Sequence, residues 1–209
     1  MVKKLIETCH LGQIRSKHQR VMNDEYSYIH EHLETLYFIV KEFDCRNILE
    51  IGTGLGSSTL AMAEATQGIV TTIDINECGQ AQDMIIFDNE LGHKVNFIRG
   101  DSIKSFPKGF YDLIFIDGNH EELNVKKELN ALFPYLQHGG WLILHDSCNP
   151  KWGKGILNSV KEFYRDKQDQ LTWYEWFNCN GLIILKNKLE WHYLSQQRLE
   201  HIGRETMDS

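Results

Sequence analysis

Several common protein classes are excluded by what this sequence lacks. No apolar run approaches the roughly 20 residues of a membrane-spanning helix, so no membrane span is expected. No apolar segment follows Lys3 and Lys4, so no secretory signal is expected there. The five cysteines, Cys9, Cys45, Cys78, Cys148 and Cys179, form no Cys-x-x-Cys pair. That argues against a zinc knuckle or a disulfide framework and fits a reducing cytoplasm. Only three prolines occur, Pro107, Pro134 and Pro150, each at a predicted element boundary. Internal repeats, low-complexity tracts and Pro/Gly/Ser linkers are absent. So is any long basic run: the net charge is −7. Lys3, Lys4, Arg15, Lys17 and Arg20 read as a solvated helix face rather than a nucleic-acid arm.

What is present is an alternation of strands and helices. With 209 residues, one domain is the better expectation than two. Ile29, Leu33, Leu36, Val40 and Phe43 recur at helical spacing, with Asn23 or Asp24 able to cap the start. Strands are predicted over 47–51, 69–75, 95–98, 112–116 and 141–144. Helices are predicted over 58–66, 80–91, 121–133 and 156–165, with a short turn or helix over 102–106. Two last strands, 171–177 and 182–186, are joined by a turn. This order predicts an α/β fold: a doubly wound, mostly parallel, seven-stranded Rossmann-like sheet with helices on both faces and a closing antiparallel hairpin. Within the single domain 1–209, residues 1–46 are expected to form a helical cap or lid, 47–186 the core and 187–209 a polar tail with a helix around Trp191 to Leu199. Trp173 and Trp176 should face opposite sides of their strand. His10, His18, His30 and His32 read as surface residues.

The chain is organised around Asn47 to Ser57, Asn-Ile-Leu-Glu-Ile-Gly-Thr-Gly-Leu-Gly-Ser. An apolar strand runs into Gly52, Gly54 and Gly56, and a small-residue helix follows. Such a turn lets a ligand approach the backbone, and the helix start offers unpaired N–H groups. Glu50 beside the loop would repel a pyrophosphate but suit a ligand with hydroxyls, an ammonium or another positive charge. Ser57 stands where the dinucleotide fingerprint needs its third glycine. In such sheets ligands bind beyond the carboxyl ends of the strands. Each parallel strand presents an acid at that edge: Glu50, Asp74, Asp101 with Ser102, Asp117 followed by His120, and Asp146 beside His145 and Ser147.

Taken in order, these motifs resemble the class I S-adenosylmethionine-dependent methyltransferases over about residues 47–186. Phe115-Ile116-Asp117-Gly118-Asn119-His120 and Gly139-Gly140-Trp141-Leu142-Ile143-Leu144-His145-Asp146-Ser147 narrow the likeness to small-molecule O-methyltransferases of the methyltransferase-24 type. The resemblance implies S-adenosyl-L-methionine as cofactor. Its site would comprise Glu50, Gly52, Thr53, Gly54, Gly56, Ser57, Asp74, Ile75, Asp101, Ser102 and Asp117. The methionine part would lie over the glycines, the ribose on Asp74 and the adenine near Asp101. It also implies Mg2+ or another divalent cation on Asp117, His145 and Asp146, with His120 as general base and Asp117, His120 and Asp146 as the catalytic group. At His145 and Ser147 the related sugar and catechol enzymes tend to offer a carboxylate or an amide instead, and imidazole is less typical for magnesium. A small hydroxylated acceptor is expected, with no nucleic acid and no membrane partner; a homo-oligomer is left open. The alternatives are a nicotinamide-dependent dehydrogenase, disfavoured by Glu50 and Ser57, and a non-catalytic nucleoside-binding protein.

Overall fold

The computed structural model describes residues 29–88 and 91–188. The expected caps at Asn23 and Asp24, His10 and His18, most of the cap or lid segment and the helix around Trp191 lie outside the described residues.

A 3-10 turn at His30–His32 leads into α1 (Leu33–Glu42). Then follow β1 (Asn47–Ile51), α2 (Ser57–Ala65), β2 (Ile69–Asp74), α3 (Gly79–Asp83), β3 (Val95–Arg99) and the short α4 (Ser102–Ser105). The second half runs through β4 (Tyr111–Ile116), α5 (Glu122–Leu132), β5 (Leu136–His145), α6 (Gly153–Lys167), β6 (Leu171–Trp176) and β7 (Leu182–Asn187). All seven strands form one sheet in the order β3-β2-β1-β4-β5-β7-β6. β1 to β5 pair in parallel, and β7 lies antiparallel between β5 and β6, which is the expected closing hairpin.

The strands are apolar on both faces because both are covered. Ile48, Leu113, Phe115, Trp141, Ile143 and Ile184 meet Leu33, Leu36, Ile39 and Val40 of α1 and the small residues of α2 on one face. Leu49, Ile51, Ile114, Ile116, Leu142 and Leu144 meet Val125, Leu129 and Leu132 of α5 and Ile156, Val160 and Phe163 of α6 on the other. Period-two alternation along β1 thus sorts its side chains between two cores. α2 has almost no polar face and is buried along nearly its whole length. Trp173 packs with the second core and Trp176 with the first, as the odd spacing of the two requires.

Two elements differ from expectation. The helix expected over 80–91 is α3 followed by a π-helical turn at Met84–Asp88. β5 is longer than 141–144. Tyr111 pairs with Leu136 but Leu113 with Trp141, so the ladder slips at a bulge. The polar and glycine residues 137–140 fill that bulge and hide the strand's true start.

Strand order reverses between β1 and β4, so the loops after these two strands diverge and leave a crevice at their carboxyl ends. Asp117 N–H donates to Ile51 O at 2.8 Å, and Gly52 N–H to Ile73 O at 2.8 Å. These bonds tie the ends of β1, β2 and β4 together just where the glycine loop departs.

Candidate active site

A cavity of about 610 Å³ opens at this crevice. Its walls are the glycine loop from Gly52 to Ser58, Asp74 to Asn76 after β2, Gly100 to Ile103 after β3, Asp117 to Asn119 after β4, and Asn124 and Glu128 of α5. Of the residues expected to hold the cofactor, all but Glu50 line it.

Asp74 organises the loop. Its Oδ2 accepts from Thr53 N–H and Gly54 N–H, both at 3.1 Å, and its Oδ1 from Asn76 N–H at 2.8 Å. Thr53 is further tied to Thr72, Oγ1 to Oγ1, at 2.7 Å. Asp101 caps α4, its Oδ1 accepting from Ile103 and Lys104 N–H, both at 3.1 Å. Ile75 is 66% exposed, an apolar side chain left open at the cavity wall.

Glu50 lies behind the loop and away from the cavity. It is fully buried and accepts from Ser58 Oγ at 2.5 Å and from Thr59 Oγ1. Burial pushes its carboxyl up to about 7, against the opposing pull of the Ser58, Thr59 and Thr72 hydroxyls. Its contacts join β1 to the first turn of α2, so it braces the loop from beneath.

At one end of the cavity the wall passes into a cluster of acids and imidazoles. His120 Nε2 lies 3.3 Å from Asp117 Oδ1, and its Nδ1 lies 3.4 Å from Asp146 Oδ2. One ligand atom from each of Asp117, His120 and Asp146 lies within 4.8 Å of the others, a group able to hold a metal ion. Asp146 adopts a left-handed φ of 64° at the end of β5. Its Oδ1 is buried and accepts no hydrogen bond.

His145, expected among the metal ligands, stands behind that group. It is 3% exposed, its Nδ1 lies 3.3 Å from Asp117 Oδ1, and its Nε2 meets Cys179 O at 3.1 Å. Both ring nitrogens are engaged, and His120 takes its place in the ligand-capable set. Burial alone would lower the His145 imidazolium, but the Asp117 carboxylate outweighs it and raises the group to about 10. Burial likewise opposes charge on Asp117, but His145 and His120 hold its carboxyl down at about 2.

His32 is a correction. It was expected at the surface but is 1% exposed. Its Nε2 meets Asn178 O at 3.0 Å, and its ring packs edge-on against His145 with centroids 5.4 Å apart. The turn before α1 delivers it to the loop between β6 and β7, a contact across 146 residues that local pattern cannot show. Glu128, by contrast, left a signal. It falls in the apolar stripe of Val125, Leu129 and Leu132, where a charged residue needs a reason.

The fold and the layout of the site are similar to those of the class I S-adenosylmethionine-dependent methyltransferases. Residues 49–147 match the family described as "Methyltransferase domain", of the methyltransferase-24 type. Tapetum-specific methyltransferase 1 of Arabidopsis thaliana is 30% identical over 136 residues, covering 61% of this chain and 56% of that protein. Caffeoyl-CoA O-methyltransferase 2 of Petunia hybrida is 28% identical over 150 residues, covering 63% of this chain and 60% of that protein. The chain thus spans less than two thirds of either relative. Among solved structures, the O-methyltransferase TomG of Streptomyces achromogenes, in complex with SAM, superposes with a TM-score of 0.64 at 15% identity, covering 84% of this chain and 87% of that one. At that identity the likeness speaks for the fold. No helix among the described residues is long and apolar enough to cross a membrane.

Proposed function

We propose that this protein transfers the methyl group of S-adenosylmethionine to a hydroxyl of a small molecule. One observation carries the reading: Asp117 belongs both to the wall of the cavity and to the cluster with His120 and Asp146. A sulfonium seated against the glycine loop would present its methyl beside those groups. The methionine part lies over Gly52, Gly54 and Gly56, with Thr53 and Ser57 beside it. Asp74 accepts from the ribose hydroxyls, and the adenine rests near Ile75, Asp101 and Ser102. The names of the relatives and the cofactor in the TomG structure support this reading.

Methyl transfer from a sulfonium needs chiefly alignment and exclusion of water. The acceptor hydroxyl must also lose a proton, and His120 is the group placed to take it. A hydrogen bond to Asp117 raises the His120 imidazolium above its ordinary value, despite burial. The base is therefore the neutral imidazole, and turnover should climb as pH rises through that raised value. The carboxylates also fit a divalent cation: those of Asp117 and Asp146 converge, and the buried Asp146 Oδ1 lacks a hydrogen-bond donor. Asp117 and Asp146 would hold it, with His120 kept as the base, and it would supply acidification and orientation of the acceptor hydroxyl. The carboxylate oxygen donors suit magnesium or manganese.

The test is calorimetry with S-adenosylhomocysteine, then transfer of labelled methyl to a panel of sugars, phenols and other hydroxylated metabolites. Expected are binding by the wild type and a loss of turnover of roughly 10²–10⁴-fold in His120→Ala. Affinity for S-adenosylhomocysteine should be little changed in that variant, and the loss should shrink at high pH. No binding by a folded sample, or wild-type turnover in both His120→Ala and Asp146→Asn, would overturn the proposal.

A further inference from the structure

His145 ends an apolar strand, is 3% exposed, and yet carries a polar ring. β5 reads Trp-Leu-Ile-Leu before it, and its backbone pairs with Leu182 of β7. An apolar side chain would serve that pairing equally well. A polar ring withdrawn from water needs partners, and this one has them at both edges. Nδ1 donates to Asp117 Oδ1 at 3.3 Å and stands 3.5 Å from Asp146 Oδ1. Nε2 donates to the Cys179 carbonyl at 3.1 Å.

The far anchor is firmly built. The turn between β6 and β7 takes three successive left-handed residues, Cys179 at φ 48°, Asn180 at 65° and Gly181 at 88°. A side chain in that region is unfavourable and persists where its surroundings hold it. Gly181 N–H donates back to Asn178 O at 2.8 Å, and Cys148 N–H donates to Asn180 O at 2.6 Å. A Cβ on Gly181 would run into Ser147 Oγ and Cys148. The turn thereby presents two successive carbonyls, Asn178 O to His32 and Cys179 O to His145, and the two rings pack edge-on.

The near edge selects one oxygen. Asp117 Oδ1 takes both His145 Nδ1 and His120 Nε2, each at 3.3 Å. Two imidazoles on one oxygen leave Oδ2 as the atom with which this carboxylate meets a ligand in the cavity it lines. Without them the carboxylate could turn freely, since its last torsion is broad. On the reading proposed above, in which this cluster carries the transfer, we infer that His145 is a positioning residue: it holds Oδ1 of Asp117 and so turns Oδ2 toward the acceptor. His145 does not itself line the cavity. Outer partners of this kind orient the groups that do the chemistry, and losing one costs roughly 10–100-fold in activity.

Glutamine and methionine are close in volume, but glutamine keeps an N–H donor, so the two variants separate hydrogen bonding from packing. Turnover is measured with labelled S-adenosylmethionine and an acceptor found in the panel above. His145→Met should lower kcat by about 10–100-fold, with KM for both substrates and affinity for S-adenosylhomocysteine little changed. His145→Gln should keep a clear part of the lost rate. Equal kcat in the two variants would mean that the ring merely fills space, and would overturn the inference. So would a wild-type kcat in His145→Met, or a loss confined to KM. Thermal melts establish that each variant folds, and one measurement needs no variant. Long-range proton–nitrogen NMR of the wild type should show a proton on His145 Nδ1. A bare Nδ1 would donate nothing to Asp117 and would overturn the inference. Failure of the wild type to bind S-adenosylhomocysteine, or to methylate any acceptor, would overturn the transfer reading and this inference with it. Transfer by the wild type with equal kcat in the two variants would overturn this inference alone.

Discussion

Glu50 shows how one side chain can be placed by sequence and still be misread in role. Its position at the end of β1 was legible, and its neighbourhood to the glycines suggested a ligand contact. Alternation along β1 puts it on the Ile48 face, but that α2 covers this face with the Ser58 and Thr59 hydroxyls depends on another element. Sealed there, it has a consequence for stability. Its folded value of about 7 stands above the ordinary 4.5, mainly through burial. A group raised in this way contributes stability that is fully present below pH 4.5 and is lost as pH rises through 7. Urea denaturation of wild type and Glu50→Gln across pH 4.5–7.5 should therefore show the wild-type advantage falling by about 3 kcal/mol as pH rises. A difference that stays flat across that window would mean that the carboxylate is solvated in the folded protein. His32 was misread for a related reason: a polar residue near a helix start reads as exposed unless its distant partner, the Asn178 carbonyl, is known.

At the scale of elements, the glycine loop shows which glycines matter and why. Gly52 has φ +95°, and a Cβ there would lie 2.2 Å from the Asp117 carbonyl oxygen. That oxygen belongs to the backbone that ties β4 to β1, so it cannot give way cheaply. Gly54 has φ +50° and no heavy atom within 4 Å of its would-be Cβ. The three glycines are alike in the sequence, but the structure separates them. Gly54→Ala should cost only about 1–2 kcal/mol, the penalty of a left-handed backbone. Gly52→Ala should cost more than about 4 kcal/mol, in the range reserved for backbone clash and strain. Chemical denaturation of the two variants checks this, and equal costs would contradict the clash. The strands themselves were largely legible, because buried parallel strands read as apolar runs between turn residues. The bulge in β5 and the π-helical turn after α3 were not, since both arise from pairing and packing rather than from period.

At the scale of the whole molecule, the site belongs to no single element. The cavity draws its walls from the ends of β1 to β4 and from α5, on both sides of the switch in strand order. The strand–helix alternation already implied that acids at these ends would gather. It could not tell which would point inward, which would cap a helix, as Asp101 does, and which would brace a loop, as Glu50 does. A ligand bridging these ends would add to the backbone bonds, the Asp74 carboxylate and the Thr53–Thr72 and Ser102–Glu128 contacts that already join them. Binding to the folded state alone stabilises it by mass action, about 2.7 kcal/mol when the free ligand stands at 100 times Kd. For a domain of this size each kcal/mol raises Tm by roughly 2–4 °C, so S-adenosylhomocysteine at that excess should raise Tm by about 5–10 °C. Asp74→Ala should need a higher ligand concentration for the same rise, because it removes both the ribose acceptor and the clamp on Thr53 and Gly54 N–H. NADH should give no comparable rise, since its pyrophosphate would meet a loop with Ser57 at the third glycine position. Scanning calorimetry with the two ligands decides the matter. A rise with NADH equal to that with S-adenosylhomocysteine would mean that the loop binds nucleotides generally and that the homocysteine portion contributes nothing.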